Sequence, residues 1–166
     1  MNEISWRQDE LTMYGKKVTI PRLHAWYGDS STQTQYGYSG LMLEPLPWIP
    51  TLLKIKHDVE YKLGMHFNSV LVNLYRDGND TVGWHSDDEI ELGINPTIAS
   101  LSLGQTRNFS LKHKQLNKKL SLELKTGSLL VMSGETQACW QHSLPRTKQA
   151  KMPRINLTFR QIIQKI

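Results

Sequence analysis

Two histidines and one aspartate have the residue types of a metal-binding triad. His85 and Asp87 are two residues apart, and His142 lies near the end of the predicted strands. If the first segment is a strand, alternate side chains point to the same face, so the imidazole and the carboxylate point together. A third ligand from a distant strand would complete the 2-His-1-carboxylate set of non-haem Fe(II) sites, which leaves coordination positions for a cosubstrate and O2.

A simpler interpretation places His85 and Asp87 on a solvated loop. A His-x-Asp pair is short enough to arise by chance. The three residues Asp87, Asp88 and Glu89 are consecutive, and adjacent carboxylates repel one another unless a cation lies nearby. A metal ion would relieve that repulsion, whereas the loop interpretation leaves it to solvent.

The segment 154–160 alternates between polar and apolar side chains. Its polar face carries Arg154, Asn156, Thr158 and Arg160. If this face pointed to solvent, the segment would be an ordinary outer strand. If it pointed into a barrel, two buried guanidinium groups would need carboxylates. In that case Arg160 could hold a metal-ligating carboxylate such as Asp87, and Arg154 could bind the carboxylate of a small dicarboxylate cosubstrate.

The elements that must position these residues are mostly short strands. A helix is predicted from Pro50 to Leu63, because apolar residues recur at helical spacing, Pro50 suits the first turn and Gly64 suits the end. Strands are predicted at 17–20, 22–27, 70–72, 97–103, 107–113, 120–124, 129–132 and 155–159. One early helix followed by a series of strands predicts a mainly β fold, a double-sheet barrel or jelly roll, rather than a parallel α/β sheet.

The charge balance and the single cysteine indicate what kind of partner and compartment the chain suits. The chain has 166 residues with 20 Lys and Arg against 15 Asp and Glu, and this basic balance favours a polyanionic partner such as nucleic acid. The single Cys139 excludes an internal disulfide and indicates a reducing compartment. No apolar run reaches the roughly 18 residues of a membrane span. We expect one domain over residues 1–166 that binds no membrane and no protein partner and is a monomer.

Together, the triad and the 154–160 segment resemble the AlkB family of Fe(II)- and 2-oxoglutarate-dependent dioxygenases. The resemblance extends from about Pro21 to Ile163 and includes the segments 21–22, 25–28, 36–39, 67–69, 73–75, 84–89, 99–104, 127–130 and 140–145. It implies a double-stranded β-helix, which is a cupin-like jelly roll with a flanking helix. It also implies Fe(II), the cosubstrate 2-oxoglutarate and O2.

The activity that this resemblance implies is oxidative DNA dealkylation. Family members hydroxylate the N-methyl groups of 1-methyladenine and 3-methylcytosine, release formaldehyde and restore the base, while 2-oxoglutarate becomes succinate and CO2. An RNA or tRNA demethylase or hydroxylase of the same family is the alternative. A nucleic-acid-binding module without turnover is disfavoured, because it would not need the triad and both arginines.

The resemblance also implies roles for single residues. The iron ligands are matched by His85, Asp87 and His142. The residues around 2-oxoglutarate and its supporting shell are matched by Asn73, Tyr75, Arg154, Asn156 and Arg160, with Thr158 a weaker match. Glu89 and Asp88 match an acidic position near the exocyclic amine of the damaged base. Tyr36 and Tyr38 match the aromatic lid, from which one ring is expected to stack on the flipped base opposite His85.

The segments expected to contact nucleic acid give conflicting indications of whether the substrate is a duplex or a single strand. Met13 and Tyr14 resemble a wedge that duplex-acting members push into the base stack, with Arg22 nearby, although a plain surface turn is the alternative. The segments 84–89 and 136–142 are closer to members that prefer single strands. A nucleotide-recognition lid is expected at about residues 10–45, and the phosphate-facing surface is expected to use the lysines with Arg22, Arg107 and Arg146. We expect a cytoplasmic protein, nucleoid-associated in a bacterium or nuclear in a eukaryote.

Overall fold

Antiparallel strands make up most of the chain. The structure, a computed structural model, describes residues 3–13, 15–30, 36–38, 41–150 and 152–163. The strands are β1 (Glu10–Met13), β2 (Lys16–Thr19), β3 (Leu23–Gly28), β4 (Tyr36–Tyr38), β5 (Leu41–Leu43), β6 (Ser69–Tyr75), β7 (Val82–His85), β8 (Ile98–Gly104), β9 (Arg107–His113), β10 (Lys119–Leu124), β11 (Leu129–Met132), β12 (Trp140–Leu144) and β13 (Arg154–Arg160). The helices are α1 (Pro50–Leu63) and α2 (Thr136–Cys139), and a 3₁₀ turn spans Ile90–Leu92.

Two sheets face each other across an apolar core. The larger sheet has five strands in the order β11-β8-β13-β6-β3, and the smaller has four in the order β10-β9-β12-β7. All their pairings are antiparallel. The strands β1 and β2, and likewise β4 and β5, form separate hairpins. The predicted mainly β jelly roll is confirmed.

The larger sheet is buried on both faces. Along β6, Leu71 and Tyr75 belong to the core between the sheets, whereas Val70 and Val72 belong to a second cluster that includes Leu52 of α1. Successive side chains of a strand point to opposite faces. Each large apolar side chain buried in this way contributes about 1.5–3 kcal/mol. Packing on both sides therefore fixes the place of the sheet in the fold, and the polar side chains on its inner face are positioned with it.

Helix α1 has the bounds that the sequence predicts. It begins at Pro50, and it ends where Gly64 adopts a left-handed conformation with φ of 64° and donates its N–H to the carbonyl of Glu60. A glycine takes this conformation without the penalty of a Cβ atom. The apolar face of α1 covers the outer side of the larger sheet.

Part of the expected lid belongs to the sheet. Strand β3 pairs with β6 along residues 23–28 and is buried at nearly every position. Among the described residues of the range 10–45, the two hairpins on either side of β3 stay candidates for a lid. None of the described helices is both long and apolar enough to span a membrane.

Candidate active site

The predicted triad comes together at one end of the smaller sheet. His85 is the last residue of β7 and lies opposite His142 of β12 in the antiparallel register. The two rings are 4.3 Å apart between centroids. Candidate ligand atoms of His85, Asp87 and His142 all lie within 4.8 Å of one another.

The expectation that His85 and Asp87 are alternate residues of one strand is wrong. Strand β7 ends at His85, and Asp87 lies in the segment beyond it. A different contact fixes Asp87: its backbone N–H donates to Oε1 of Gln137 at 2.9 Å. The carboxylate therefore reaches the histidines through a bend anchored on α2, and not through the alternation of a strand.

A buried ion pair holds the Asp87 carboxylate. Nη2 of Arg160 is 2.6 Å from Oδ1 of Asp87, and both side chains are almost fully buried. Burial alone would raise the pKa of Asp87, but the charge of Arg160 and the nearby imidazoles of His142 and His85 hold that pKa below its ordinary value. Asp87 is therefore an anion with its second oxygen, Oδ2, 3.7 Å from Nε2 of His142.

The two imidazoles are neutral near pH 7. Burial lowers the pKa of His142 to about 4, the neighbouring His85 adds to this effect, and Asp87 offsets only part of it. Burial also lowers the pKa of His85. The carbonyl of Gly83 lies 2.9 Å from Nδ1 of His85, and a carbonyl can only accept, so Nδ1 carries the proton and Nε2 keeps its lone pair. Neutral imidazole is the form that binds a metal.

The polar face of β13 points into the molecule. Its four polar side chains are all buried and line a cleft with the triad, so the interpretation of β13 as an outer strand is excluded. The cleft is partly open to solvent. The structure places every residue that was predicted for 2-oxoglutarate along this cleft, namely Asn73, Tyr75, Arg154, Asn156, Thr158 and Arg160.

Arg154 has polar contacts but no counter-charge. Its Nη2 donates to Oγ of Ser102 at 2.9 Å, and its guanidinium lies 5.2 Å from the ring centre of Tyr75. Its Nε has no hydrogen-bond partner among the described residues, and no described carboxylate lies within ion-pair distance of it. Burial lowers the pKa of Arg154. A buried cation of this kind suits an anionic ligand.

A row of hydrogen bonds orders the middle of the cleft. Oγ1 of Thr158 donates to Oδ1 of Asn156 at 2.8 Å, and Nδ2 of Asn156 donates to Oγ of Ser100 at 2.7 Å. At the side of the cleft, Nε of Arg22 donates to Oδ1 of Asn73 at 2.9 Å. These contacts orient the side-chain amides of Asn73 and Asn156 without a ligand.

Arg22 and Arg107 do not belong to a phosphate-facing surface. Both are buried. Arg22 donates to Asn73 and to the carbonyl of Thr81, and Arg107 donates to three backbone carbonyls. That part of the prediction is wrong, because these guanidinium groups satisfy internal acceptors. Arg146 is exposed.

The residues predicted to contact the base are only partly placed. Asp88 is exposed and lies 3.2 Å from Nζ of Lys114, and Glu89 is half-buried. Met13 lies in β1, and Tyr36 and Tyr38 lie in β4, whereas Tyr14 falls outside the described residues. The stacking and wedge roles of these four residues stay predictions.

Three polar residues of the site carry no strong sequence signal. Gln137 is almost fully buried against Asp87, and Ser100 and Ser102 support the polar face of β13. All three lie inside segments that carry the family resemblance or next to them. Nothing in their type marks them, because serine and glutamine are common surface residues.

Comparison with known proteins identifies a family. The model of the 2OG-Fe(II) oxygenase superfamily matches residues 1–160. The Bos taurus protein "Alpha-ketoglutarate-dependent dioxygenase alkB homolog 3" is 42% identical over 170 residues, which cover 96% of this chain and 58% of that protein. "DNA oxidative demethylase ALKBH2" of Bos taurus is 44% identical over 159 residues, covering 91% of this chain and 56% of that protein.

Two weaker matches follow, the second of which concerns the fold alone. "DNA oxidative demethylase ALKBH2" of Arabidopsis thaliana is 38% identical over 187 residues, covering 96% of this chain and 59% of that protein. A solved structure, "The structure of OsALKBH1", superposes with a TM-score of 0.61 at 22% identity and covers 95% of this chain and 83% of that one. The chain thus spans a little over half the length of the curated relatives named here.

Proposed function

The chain belongs to the AlkB family of the 2OG-Fe(II) oxygenase superfamily, and from this premise we propose that it removes N-methyl groups from DNA bases by oxidation. One observation carries the proposal. A buried triad of two neutral imidazoles and one carboxylate, the latter paired with Arg160, opens into a cleft that ends on an uncompensated arginine. This arrangement provides separate places for a metal and a dicarboxylate.

The donor set fits Fe(II). His85, Asp87 and His142 would hold the metal, because their ligand atoms are close together and in the protonation states that ligation requires. When bound, Fe(II) supplies the redox chemistry that couples O2 and 2-oxoglutarate to hydroxylation. Arg160 donates to Asp87 and keeps this carboxylate ionised and oriented, so that Asp87 would be ready to hold the metal.

The cleft also fits 2-oxoglutarate. Arg154 would pair with the carboxylate farthest from the triad, since its Nε has no partner among the described residues. A guanidinium can make two parallel hydrogen bonds to a carboxylate. The amides of Asn73 and Asn156 are already oriented by other side chains and would line the rest of the cosubstrate.

The proposed reaction consumes O2 and 2-oxoglutarate and yields a hydroxylated methyl group, succinate and CO2. One O2 is consumed; one oxygen atom enters the N-methyl group as hydroxyl, and the other enters the succinate that forms as 2-oxoglutarate loses CO2. The carbon–nitrogen bond of the hydroxymethyl group then breaks, its hydroxyl proton is lost, and the nitrogen keeps the electron pair. The products are formaldehyde and the unmodified base.

We propose 1-methyladenine and 3-methylcytosine as the bases. In both, the methylated nitrogen lies on the pairing edge, so the base must leave the stack to reach the cleft. Tyr36 or Tyr38 would stack on the flipped base opposite His85, and Asp88 and Glu89 would bind the exocyclic amine. On duplex DNA, Met13 and Tyr14 would fill the gap left in the stack.

The test is a rate comparison on matched strands. Purified protein with Fe(II), ascorbate and 2-oxoglutarate is given the same sequence as single-stranded DNA, duplex DNA and RNA, each with one 1-methyladenine. We expect conversion to the unmodified base with one succinate per methyl group, and faster conversion of DNA than of RNA. His85→Ala is the matched inactive control.

Two results would change the proposal. Faster conversion of RNA would favour an RNA or tRNA demethylase. No conversion of any methylated strand, by protein that still forms succinate from 2-oxoglutarate, would exclude nucleic-acid demethylation. We further propose that the protein acts in the compartment that holds its DNA, the cytoplasm of a bacterium or the nucleus of a eukaryote. Cell fractionation tests that location.

A further inference from the structure

One edge strand of the smaller sheet has backbone hydrogen-bonding groups that no other described strand pairs with. Strand β10 is at the end of the sheet and, among the described strands, pairs only with β9. The N–H of His113 donates to the carbonyl of Lys118, so these two residues form a hydrogen-bonded pair. Hydrogen-bonded and non-hydrogen-bonded pairs alternate along an antiparallel ladder. Lys119, Ser121 and Glu123 therefore direct their backbone N–H and C=O groups away from β9. Such a row is a template for another strand.

The same strand exposes apolar side chains. Leu120 is 53% exposed and Leu122 is 38% exposed. Their partners across the pair, Leu111 and Phe109, are each only 7% exposed. The core between the sheets includes Leu124 at the end of β10 but covers Leu120 and Leu122 only in part. These two leucines have apolar surface left that a further strand would cover.

The sequence of β10 is complementary to itself. When two copies of the segment 119–123 are aligned antiparallel about Ser121, Lys119 faces Glu123 of the second copy. Leu120 then faces Leu122 of the second copy. Leucines therefore pair on the apolar face, and a lysine pairs with a glutamate on the polar face. Lys119, Ser121 and Glu123 are also the residues whose backbone groups point outward, so the side-chain match and the hydrogen-bond match have the same register.

We propose that the protein forms a two-fold symmetric dimer in which the β10 strands of two copies pair antiparallel about Ser121. The charges select this register. A slip of two residues one way places Lys119 opposite Lys125, and a slip the other way leaves Glu123 opposite Asn117. A slip of one residue turns the leucines to the polar face. The interface is the same patch on both copies, as a two-fold axis requires.

Among the described residues, no strand or ion pair competes strongly for this edge. Glu123 lies 3.8 Å from Lys125, but both side chains are largely exposed, at 59% and 73%, and an exposed pair of this kind is weak and exchangeable. Strand β10 is at the opposite edge of the sheet from β7, which carries His85. The dimer would be one continuous sheet with both clefts open, and it would differ from the monomer that is expected from the sequence.

Charge swaps test the dimer and its register together. Sedimentation velocity is measured over a concentration series for the wild type, Lys119→Glu, Glu123→Lys, the double variant with both changes, and Lys54→Glu as a matched charge reversal on the exposed face of α1. Circular dichroism checks that each variant folds. We expect a dimer in the wild type and the control, and association weakened roughly tenfold or more in each single variant, because each change creates two like-charge pairs.

The double variant gives the decisive measurement. It exchanges the two charges and restores opposite pairs, so its association should return toward that of the wild type. A wild type that stays monomeric at every concentration overturns the proposal, including the case in which β10 pairs with a strand of another protein. A dimer that survives both single changes, or a double variant that fails to recover, overturns it as well.

Discussion

Arg154 and Arg160 lie on the same face of β13, yet only one of them has a carboxylate beside it. Arg160 is paired with Asp87 at 2.6 Å, whereas Arg154 has the hydroxyl of Ser102 and the ring of Tyr75. A buried cation without a counter-charge is costly. The two arginines therefore have different tasks, one in holding a ligand of the metal and the other in binding the cosubstrate.

Replacing Arg154 should affect the cosubstrate and not the nucleic acid. We expect Arg154→Ala to raise the KM for 2-oxoglutarate roughly 10- to 100-fold, since a hydrogen bond to a charged group contributes about 1.5–3 kcal/mol. The Kd for a methylated oligonucleotide should change little. Arg146→Ala, at an exposed position, is the reciprocal control and should weaken oligonucleotide binding alone. Equal losses of both affinities in Arg154→Ala would contradict this assignment.

His142 should make the metal-free protein sensitive to mild acid. Its pKa is lowered from 6.5 to about 4 in the folded chain, so between these values the unfolded chain binds a proton that the folded chain does not. Stability therefore falls as pH falls through this window. A difference of this size corresponds to about 3 kcal/mol. Asp87, whose pKa is also lowered, contributes stability that is lost only at still lower pH.

Urea unfolding in EDTA at pH 7 and pH 4.5 measures this loss. His142→Asn should lose much less stability between the two pH values than the wild type does. His66→Asn is the matched control, because His66 is 93% exposed, and it should behave like the wild type. If His142→Asn keeps the full pH dependence, the acid sensitivity comes from another group.

At the scale of elements, the sequence predicts best where the local pattern is regular. Strand β13 alternates strictly and α1 has clear ends, so both were predicted within a residue or two. Strand β12 was missed, because it begins directly after α2. Strand β7 was considered only as a condition for pairing His85 with Asp87, because it carries Gly83 and an exposed Trp84. These two strands carry His85 and His142, so the sequence indicated the triad without showing how β7 and β12 bring it together.

The short helix α2 should tune metal binding through Gln137. Replacing Gln137 with Leu removes the acceptor for the backbone N–H of Asp87 and leaves a buried donor unsatisfied, which costs about 1–3 kcal/mol. We expect metal affinity to fall roughly 10- to 100-fold, as for other supporting contacts, with the KM for 2-oxoglutarate less affected. Isothermal titration with Mn(II) measures the affinity. Cys139→Ala on the same helix should leave it unchanged; equal losses in both variants would indicate a general effect on α2.

The turn after β6 should be intolerant of a single methyl group. Gly78 donates its N–H to Ala150 and accepts from the N–H of Thr147, and a Cβ atom at Gly78 would overlap the carbonyl oxygen of Thr147. We expect Gly78→Ala to reduce the free energy of unfolding by about 1–3 kcal/mol. Gly83→Ala is the matched control, because no described atom outside its neighbours lies within 4 Å of the added methyl. Equal stability of the two variants in urea unfolding would refute this packing argument.

At the scale of the whole molecule, the site exists only when both sheets are in place. His85 and His142 belong to the smaller sheet, and Arg154 and Arg160 belong to the larger one. The sequence separates Asp87 from Arg160 by 73 residues, and no local pattern reports a contact over that distance. The family resemblance supplied the grouping of residues, but the burial of Arg22 and Arg107 depends on packing between distant segments, and the sequence alone misplaced both arginines.

Because the metal would lie on one sheet and the cosubstrate on the other, their joint binding should stabilise the fold more than either does alone. At 100 times its Kd, a ligand that binds only the folded state adds about 2.7 kcal/mol, or a rise in Tm of roughly 5–10 °C for a chain of this size. Thermal melts with Mn(II), with the inert analogue N-oxalylglycine and with both measure the effect, and EDTA should reverse it. In Arg154→Ala the response to Mn(II) should persist while the extra response to the analogue is lost. An analogue that stabilises the protein equally without metal would show that the two sites act independently.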